Sequence, residues 1–466
     1  MTTLETAGSE LDALRQAMAG DVLTAESEGY DDARKVWNAD IDRRPAAIAR
    51  CKTVDDVRAA LAFGRKQGLR IAVRSGGHSF PGHSIVDDGL VIDLRQMNGV
   101  NLDAAARRVV VGGGAVWSEV DSVTTPQGLA VTGGHVSHTG VAGLTLGGGV
   151  GHLMRSLGLT ADSLLSAEIV LADGRPLKAS EAENPDLFWA IRGGGGNFGI
   201  ATSFEFRLHP LPPTVFAGLV FWAPEKGPDL MRLYNRLCQD CPEGVTTILA
   251  YLHAPPFPFV PEPVHFKPGY AVVVCAPDQA AGERFMAPLR QFGPPLFEML
   301  APMPYHPAVQ TLFDPALPWG TRGYLKSHYF AEYSEDVIAA IHANTAKMPP
   351  GHSQMLNLQL GGAVARVPEE ATAFGGRSAG FLNMAAGIWE ETGDREPAVA
   401  WARGFSNDLE PLGLGGTYIN LADNETGDRL VNSYGREKFE RLSAIKAKYD
   451  PENVFRLNQN IKPAAG

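Results

Sequence analysis

Between Thr132 and Gly151 the chain carries eight glycines: Gly133, Gly134, Gly140, Gly143, Gly147, Gly148, Gly149 and Gly151. Flexible linkers are Gly-rich too, but they are also Ser-rich and polar. Here Val141, Leu144, Leu146 and Val150 stand between the glycines. Apolar residues seek burial, and glycines let backbone approach backbone or a ligand without an intervening side chain. The segment therefore reads as tightly packed backbone wrapped around something.

A second glycine turn lies upstream. Leu69 to Val73 is an apolar run that reads as a buried strand, and Arg74-Ser75-Gly76-Gly77-His78-Ser79 follows it. A second turn, Phe80-Pro81-Gly82-His83-Ser84, comes directly after. An arbitrary histidine is most often a locally bonded structural residue. His78 stands at the tip of a turn with glycines before it, a position that suits contact with a flat, bulky cofactor.

The chain has 466 residues, 44% hydrophobic and 20% charged, with a net charge of −11. That supports a large packed core and excludes wholesale disorder. Lys and Arg never run longer than two, so nucleic acid is not an expected partner. Four cysteines do not make a disulfide framework in a chain of this length. Cys238-Gln239-Asp240-Cys241 is a lone CxxC without a second pair or a nearby histidine, and no metal is expected. Met1 to Ala19 reads as a short amphipathic helix rather than a secretory leader. No window approaches a membrane span. The expectation is a soluble cytoplasmic protein, monomer or homodimer, acting on a small molecule.

Helices are predicted at Thr53 to Gln67, capped by Thr53 and ended by Gly68, and at Val116 to Thr124. Strands are predicted at about 69–74, 89–94, 108–112, 164–171 and 200–208. His209-Pro210-Leu211-Pro212-Pro213 reads as a domain boundary. Beyond it, strands near 215–222, 245–252, 269–275, 354–360 and 380–388 alternate with helices near 226–237, 278–291, 334–347 and 395–409. Residues 254–268 and 293–320 read as long ordered loops. Arg436 to Tyr449 is a helix, and Phe455 to Ile461 is too apolar for a free end. The class is α+β: a two-part domain with an inserted α/β unit built on an antiparallel sheet.

Two familiar motifs fail on context. Gly194-Gly195-Gly196-Asn197-Phe198-Gly199 matches the dinucleotide fingerprint, but a helix precedes it and a strand follows, the reverse of what that fingerprint needs. Gly376-Arg377-Ser378-Ala379-Gly380 matches a nucleophile elbow without the required strand–turn–helix.

Taken in order, Arg74 to Ser79, Val91-Ile92-Asp93-Leu94, Gly140 to Gly149, Leu159 to Asp162, Gly194 to Gly199 and Tyr449 to Ile461 resemble the berberine bridge enzyme-like flavoproteins of the vanillyl-alcohol oxidase superfamily. The bacterial branch that includes 6-hydroxy-D-nicotine oxidase looks most similar. The resemblance spans about residues 35–463. It implies an FAD-binding domain of the PCMH type over 1–211 (core about 40–211), a substrate domain over 212–419, and a C-terminal segment, 420–466, returning to the first domain. It implies an FAD-dependent oxidase that takes hydride from a CH–OH or CH–N group of a small substrate, aromatic or glycosidic, with O2 as acceptor. A dehydrogenase using another acceptor, or a catalytically weak flavin-binding protein, are the alternatives. It gives His78 a covalent 8α bond to FAD. The other implied cofactor contacts are Arg74, Ser75, Gly76, Gly77, Ser79, His83, Gly133, Gly134, His135, Val136, Thr139, Gly140, Gly143, Asp162, Gly199, Ile200, Asn420, Asn458 and Asn460.

The sequence departs from the family pattern in two places. Val136 stands where many relatives have a cysteine that forms a second flavin bond, so a single linkage is expected. Thr139 falls at the position that gates oxygen. Relatives carry Glu, Asp or Gln on a strand above the flavin. The matching strand here runs from Leu356 to Gly361, and period two places Asn357 and Gln359 on one face. Tyr418-Ile419-Asn420-Leu421 lacks the last tyrosine of the usual Y-x-N-Y. Gln359, Asn357, Tyr324 and Tyr418 are the candidate catalytic residues.

Overall fold

The computed structural model describes residues 3–390 and 395–465. Three main sheets organise them. The first holds Asp21–Leu23, Ala47–Arg50, Leu90–Asp93 and Ile71–Arg74, in that order. Its last three strands are parallel. Parallel strands need a crossover, and the helix Val54–Lys66 supplies it between Ala47–Arg50 and Ile71–Arg74, which flank Leu90–Asp93. Its start is a capping box: the Asp56 N–H donates to Thr53 Oγ1 at 3.1 Å and the Thr53 N–H to Asp56 Oδ2 at 3.2 Å.

The second sheet is antiparallel, in the order Val100–Asp103, Arg108–Gly112, Ile200–Arg207, Leu164–Val170, Pro176–Ser180. Its core gathers Trp117, Phe188, Phe198, Phe204 and Phe206. The glycine-rich segment folds over it, and Val141–Leu146 forms a short helix that local composition did not predict.

The third sheet has seven antiparallel strands, in the order Phe297–Met303, Val215–Trp222, Pro268–Ala276, Thr246–His253, Gln354–Gln359, Phe381–Trp389, Arg322–Phe330. The five predicted strands are its interior. Both edge strands fall where the sequence reads as loop (293–320) or carries no element signal (322–330). Edge strands are half-paired and carry a weaker apolar signal: Phe297–Met303 is mostly half-buried, whereas Phe381–Trp389 is buried throughout. Helices Gly227–Gln239, Gln279–Gln291, Glu335–Thr345 and Arg395–Leu409 cover one face and pack a core around Trp222, Tyr234 and Tyr270. The other face turns toward the glycine turns.

The chain's end packs back onto its first half. Phe455 joins the core of the parallel sheet and Ile461 that of the second sheet. Lys446, fully buried, donates to Asp450 Oδ2 at 2.6 Å and to the carbonyls of Asn197 at 2.6 Å and Phe455 at 2.9 Å. A buried ammonium with all three hydrogens matched is one of the few ways such a charge is tolerated.

Candidate active site

The strand Ile71–Arg74 ends at the first glycine turn. A Cβ placed on Gly76 would sit 2.3 Å from the Gly140 nitrogen, and one on Gly140 would sit 2.4 Å from the Gly76 nitrogen. The two glycine segments that stood apart in sequence are therefore in backbone contact. Side chains there would force them apart.

A long cleft opens beside this contact, between the glycine segments and the third sheet. It is lined by 75–79, 134–136, 139–140, 195–197, 199–201, 418–422 and 457–459, and by the inward side chains of the seven-stranded sheet. Among the described residues no Asp, Glu, Lys or Arg lines it. Its polar character comes from backbone groups and uncharged side chains. The N–H groups of Gly76, Gly77, His78 and Ser79 donate to no protein acceptor among the described residues. Ser75 Oγ and Asn458 Oδ1, both on the wall, are buried without partners. A Cβ on Gly143 or Gly196 would meet nothing within 4 Å, so both face open space.

Consecutive unpaired N–H groups form a concavity suited to an anion such as a pyrophosphate, without a cationic side chain. The glycine cradle and the orphaned polar atoms fit FAD.

His78 is held from three sides. Its ring stacks on Trp37 at 5.2 Å and 19°, meets Trp319 edge-on at 5.9 Å, and places Nε2 2.8 Å from His138 Nδ1. Burial, and secondarily His138, push its pKa down to about 3. The imidazole is neutral at physiological pH and keeps a nucleophilic lone pair. His135, further along the wall, is likewise lowered to about 4 by burial.

Of the residues named from sequence, Ser75, Gly76, Gly77, His78, Ser79, His83, Gly134, His135, Val136, Thr139, Gly140, Gly143, Gly199, Ile200, Tyr418, Asn420 and Asn458 line the cleft. Four do not. Arg74 is fully buried, and its guanidinium turns away to donate to the carbonyls of Ala33 and Lys35. Gly133 exists for packing: a Cβ there would lie 3.0 Å from the Trp117 ring. Asp162 pairs with Arg377 at 2.6 Å and accepts the Leu159 N–H at 2.8 Å. Asn460 lies off the wall.

The proposed catalytic set is corrected more deeply. Gln359 accepts from Thr247 Oγ1 at 2.6 Å and donates to the Cys238 carbonyl at 3.3 Å, on the helix-covered side of the sheet. Asn357 is tied to Asn383 at 2.7 Å, inside the sheet. The strand was matched, but the cleft faces its other set: Gln354, Leu356 and Leu358. Tyr324 also lies off the cleft, with the Arg403 guanidinium 5.1 Å over its ring. Tyr418 is on the wall, yet its hydroxyl accepts the Gly149 N–H and the Asn420 Nδ2–H, each at 2.9 Å. Burial raises its pKa to about 12, so it keeps its proton and braces the glycine turn.

Trp37 and Gln354 also line the cleft, and no local signal in the sequence marks them. Cys238 and Cys241 are free thiols whose pKa burial raises. No group of residues that could hold a metal ion occurs among the described residues.

Comparison with known proteins agrees with this geometry. Residues 45–180 match the FAD binding domain family and residues 417–462 the berberine and berberine-like family. The chain is 31% identical to (R)-6-hydroxynicotine oxidase of Paenarthrobacter nicotinovorans, over 96% of this chain and 97% of that protein. It is 27% identical to glucooligosaccharide oxidase of Sarocladium strictum, over 94% and 92%. The solved structure of 6-hydroxy-D-nicotine oxidase from Arthrobacter nicotinovorans superposes with a TM-score of 0.85 at 27% identity, covering 96% of this chain and 98% of that one. Glucooligosaccharide oxidase from Acremonium strictum, described with a 6-S-cysteinyl, 8α-N1-histidyl FAD, superposes at 0.86 and 26% identity, covering 98% of this chain.

Proposed function

The chain belongs to the berberine bridge enzyme-like family of FAD-linked oxidoreductases, and from this we propose an oxidase for a small, hydrocarbon-rich substrate with FAD bonded to His78 alone. FAD, when bound, supplies the acceptor for hydride from a CH–OH or CH–N carbon and passes the electrons to dioxygen. Residues 1–211 and 420–466 would form the FAD-binding domain and 212–419 the substrate domain. The N–H groups of Gly76 to Ser79, with Ser75 and Asn458, would hold the dinucleotide. His78 is the candidate anchor because it is neutral, turned toward the cleft wall and fixed between two tryptophans. Val136 on the same wall has no sulfur, which supports a single bond.

The observation that carries the substrate reading is the roof of the cleft. Ile248, Leu356, Leu358, Met384 and Ala386 face it from adjacent strands, and Phe313 and Leu317 close its side. Among the described residues, Gln354 is the one polar side chain the seven-stranded sheet contributes to the lining. A sugar buried there would leave several hydroxyls unpaired, at about 1–3 kcal/mol each. An apolar ring or chain would be favoured by about 25 cal/mol per Å² covered. Among the described residues no carboxylate lines the cleft to take a proton, which suits a neutral amine or a readily ionised hydroxyl. Donor carbon and acceptor must be held in contact, and the rigid sheet face serves that.

The experiment is twofold. Acid-precipitated protein should give a yellow pellet; a colourless pellet with yellow supernatant refutes the His78 bond. Anaerobic mixing with aromatic and alkyl alcohols and amines, beside cellobiose, should bleach the flavin with the former only, and air should restore the colour. Bleaching by cellobiose alone would overturn the substrate reading, and failure of air to restore the colour would point to a dehydrogenase.

A further inference from the structure

We propose that His138 is the positioning residue for flavin attachment: it holds His78 in the tautomer that frees Nδ1 and receives the Nε2 proton as the bond forms. The proposal rests on the covalent reading above and adds the group that makes it work.

Three observations carry it. First, His78 Nε2 and His138 Nδ1 are 2.8 Å apart, with 39° between the rings. One of these two nitrogens must bear the shared hydrogen. Second, His78 stands on the cleft wall with Nε2 engaged by His138, so Nδ1 is the nitrogen left for a ligand. Nδ1 carries a free lone pair when the shared hydrogen sits on His78 Nε2 and His138 Nδ1 accepts it. His78 Nδ1 is left as the nucleophilic nitrogen.

Third, the pair is braced by a single segment. The Ser137 N–H and Oγ–H both donate to Asp314, at 2.9 Å and 2.5 Å. The Trp37 indole N–H, on the ring stacked against His78, donates to the Leu317 carbonyl at 3.0 Å. Residues 314–319 thereby fix both imidazoles.

The chemistry balances. The bond that forms joins His78 Nδ1 to the 8α carbon of FAD, and one methyl C–H bond breaks. As Nδ1 is alkylated, the Nε2 hydrogen becomes acidic and passes to His138 Nδ1. The two electrons released are taken by the flavin and then by dioxygen. Overall, one C–H and one N–H are exchanged for an N–C bond and hydrogen peroxide. The charged and titratable groups that face His138 are His78 and Asp314; the Asp314 carboxylate favours the protonated form that burial opposes.

The test uses full-length protein prepared without flavin and then given FAD. The readout is the fraction of flavin that stays on the chain in a denaturing gel, followed over time, with mass spectrometry of the His78 peptide. Wild type should attach FAD at Nδ1, at a rate that falls with pH as His138 takes up its own proton, below the ordinary imidazole range because burial lowers its pKa. His138→Ala should bind FAD but attach it about 100-fold more slowly or worse, with no such pH dependence, and added imidazole should restore part of the rate. His138→Gln can accept the hydrogen bond but cannot take the proton. It should keep the Nδ1 site yet remain slow. Attachment by His138→Ala at the wild-type rate, or by His138→Gln at that rate, would overturn the proposal. If wild type itself releases all its FAD, the covalent reading fails, a result distinct from either.

Discussion

Replacing Asp162 by Asn separates a structural carboxylate from a cofactor ligand. Asp162 and Arg377 are a buried pair, with side chains 8% and 2% exposed. The guanidinium donates to Asp162 Oδ1 at 2.6 Å and Oδ2 at 3.1 Å, to Thr372 Oγ1 at 2.9 Å and to the Val364 carbonyl at 3.1 Å. Asp162 also accepts the Leu159 N–H. In Asp162→Asn the guanidinium keeps its charge and loses its counter-ion, and an amide N–H₂ now faces it. Breaking a buried pair from one side costs about 3–5 kcal/mol. Unfolding entropy is about 2.1 cal/mol/K per residue. For 466 residues melting as one unit that is about 1 kcal/mol/K, so Tm should fall by about 3–5 °C. The assay is thermal melting of flavin-free protein, where no cofactor contact contributes. Asp162→Leu with Arg377→Met removes both charges and should recover most of the loss, because no buried charge is left unpaired. A change below 1 °C in flavin-free Asp162→Asn would refute the reasoning, as would a double variant as unstable as the two single changes added together.

Gly140→Ala places a Cβ 2.4 Å from the Gly76 nitrogen, so the turns must part; the protein should purify colourless after incubation with FAD, and a yellow product would count against the backbone contact. Leu356→Asn should weaken binding of apolar ligands about tenfold, by titration of the flavin spectrum, while leaving the protein yellow. His152 and His328 are 2% and 3% exposed, and burial lowers both, His328 to about 3. Their native pKa values lie below the unfolded value of about 6.5, so the unfolded chain takes protons first as pH falls. Stability should therefore be full above pH 6.5 and fall, for each histidine, by about 1.4 kcal/mol per unit below it, down to about pH 3 for His328. Urea midpoints at pH 7, 6 and 5 check this, and His328→Gln should flatten the slope; parallel slopes would exclude His328 as a source.

Local signals explain what was legible. Thr53 with Asp56 states a helix start, and interior strands state themselves by unbroken apolar runs. The glycines at 133–151 declared close backbone packing, but not that Gly140 would meet Gly76. The strand Gln354–Gln359 shows the limit best. Every residue in it is buried. A strand buried on both faces lacks the alternation that reveals which face is which. Period two groups Asn357 with Gln359 and Gln354 with Leu356 and Leu358, and nothing local says which group meets the cleft.

Asp162 and Arg74 were misassigned for a related reason. A charged residue beside a glycine motif reads the same whether it reaches a ligand or a neighbouring loop. Asp162 finds Arg377, 215 residues away, and Arg74 finds the carbonyls of Ala33 and Lys35.

The ordered motifs by themselves determined the family, the glycine cradle and the prominence of His78, because each depends on residue type within a few positions. Tertiary structure alone decided which strand face roofs the cleft, that no charged side chain among the described residues lines it, and that His138, Trp37 and Trp319 converge on His78. Those facts depend on which segments pack together, and packing is set by the summed burial of the whole chain rather than by any local stretch.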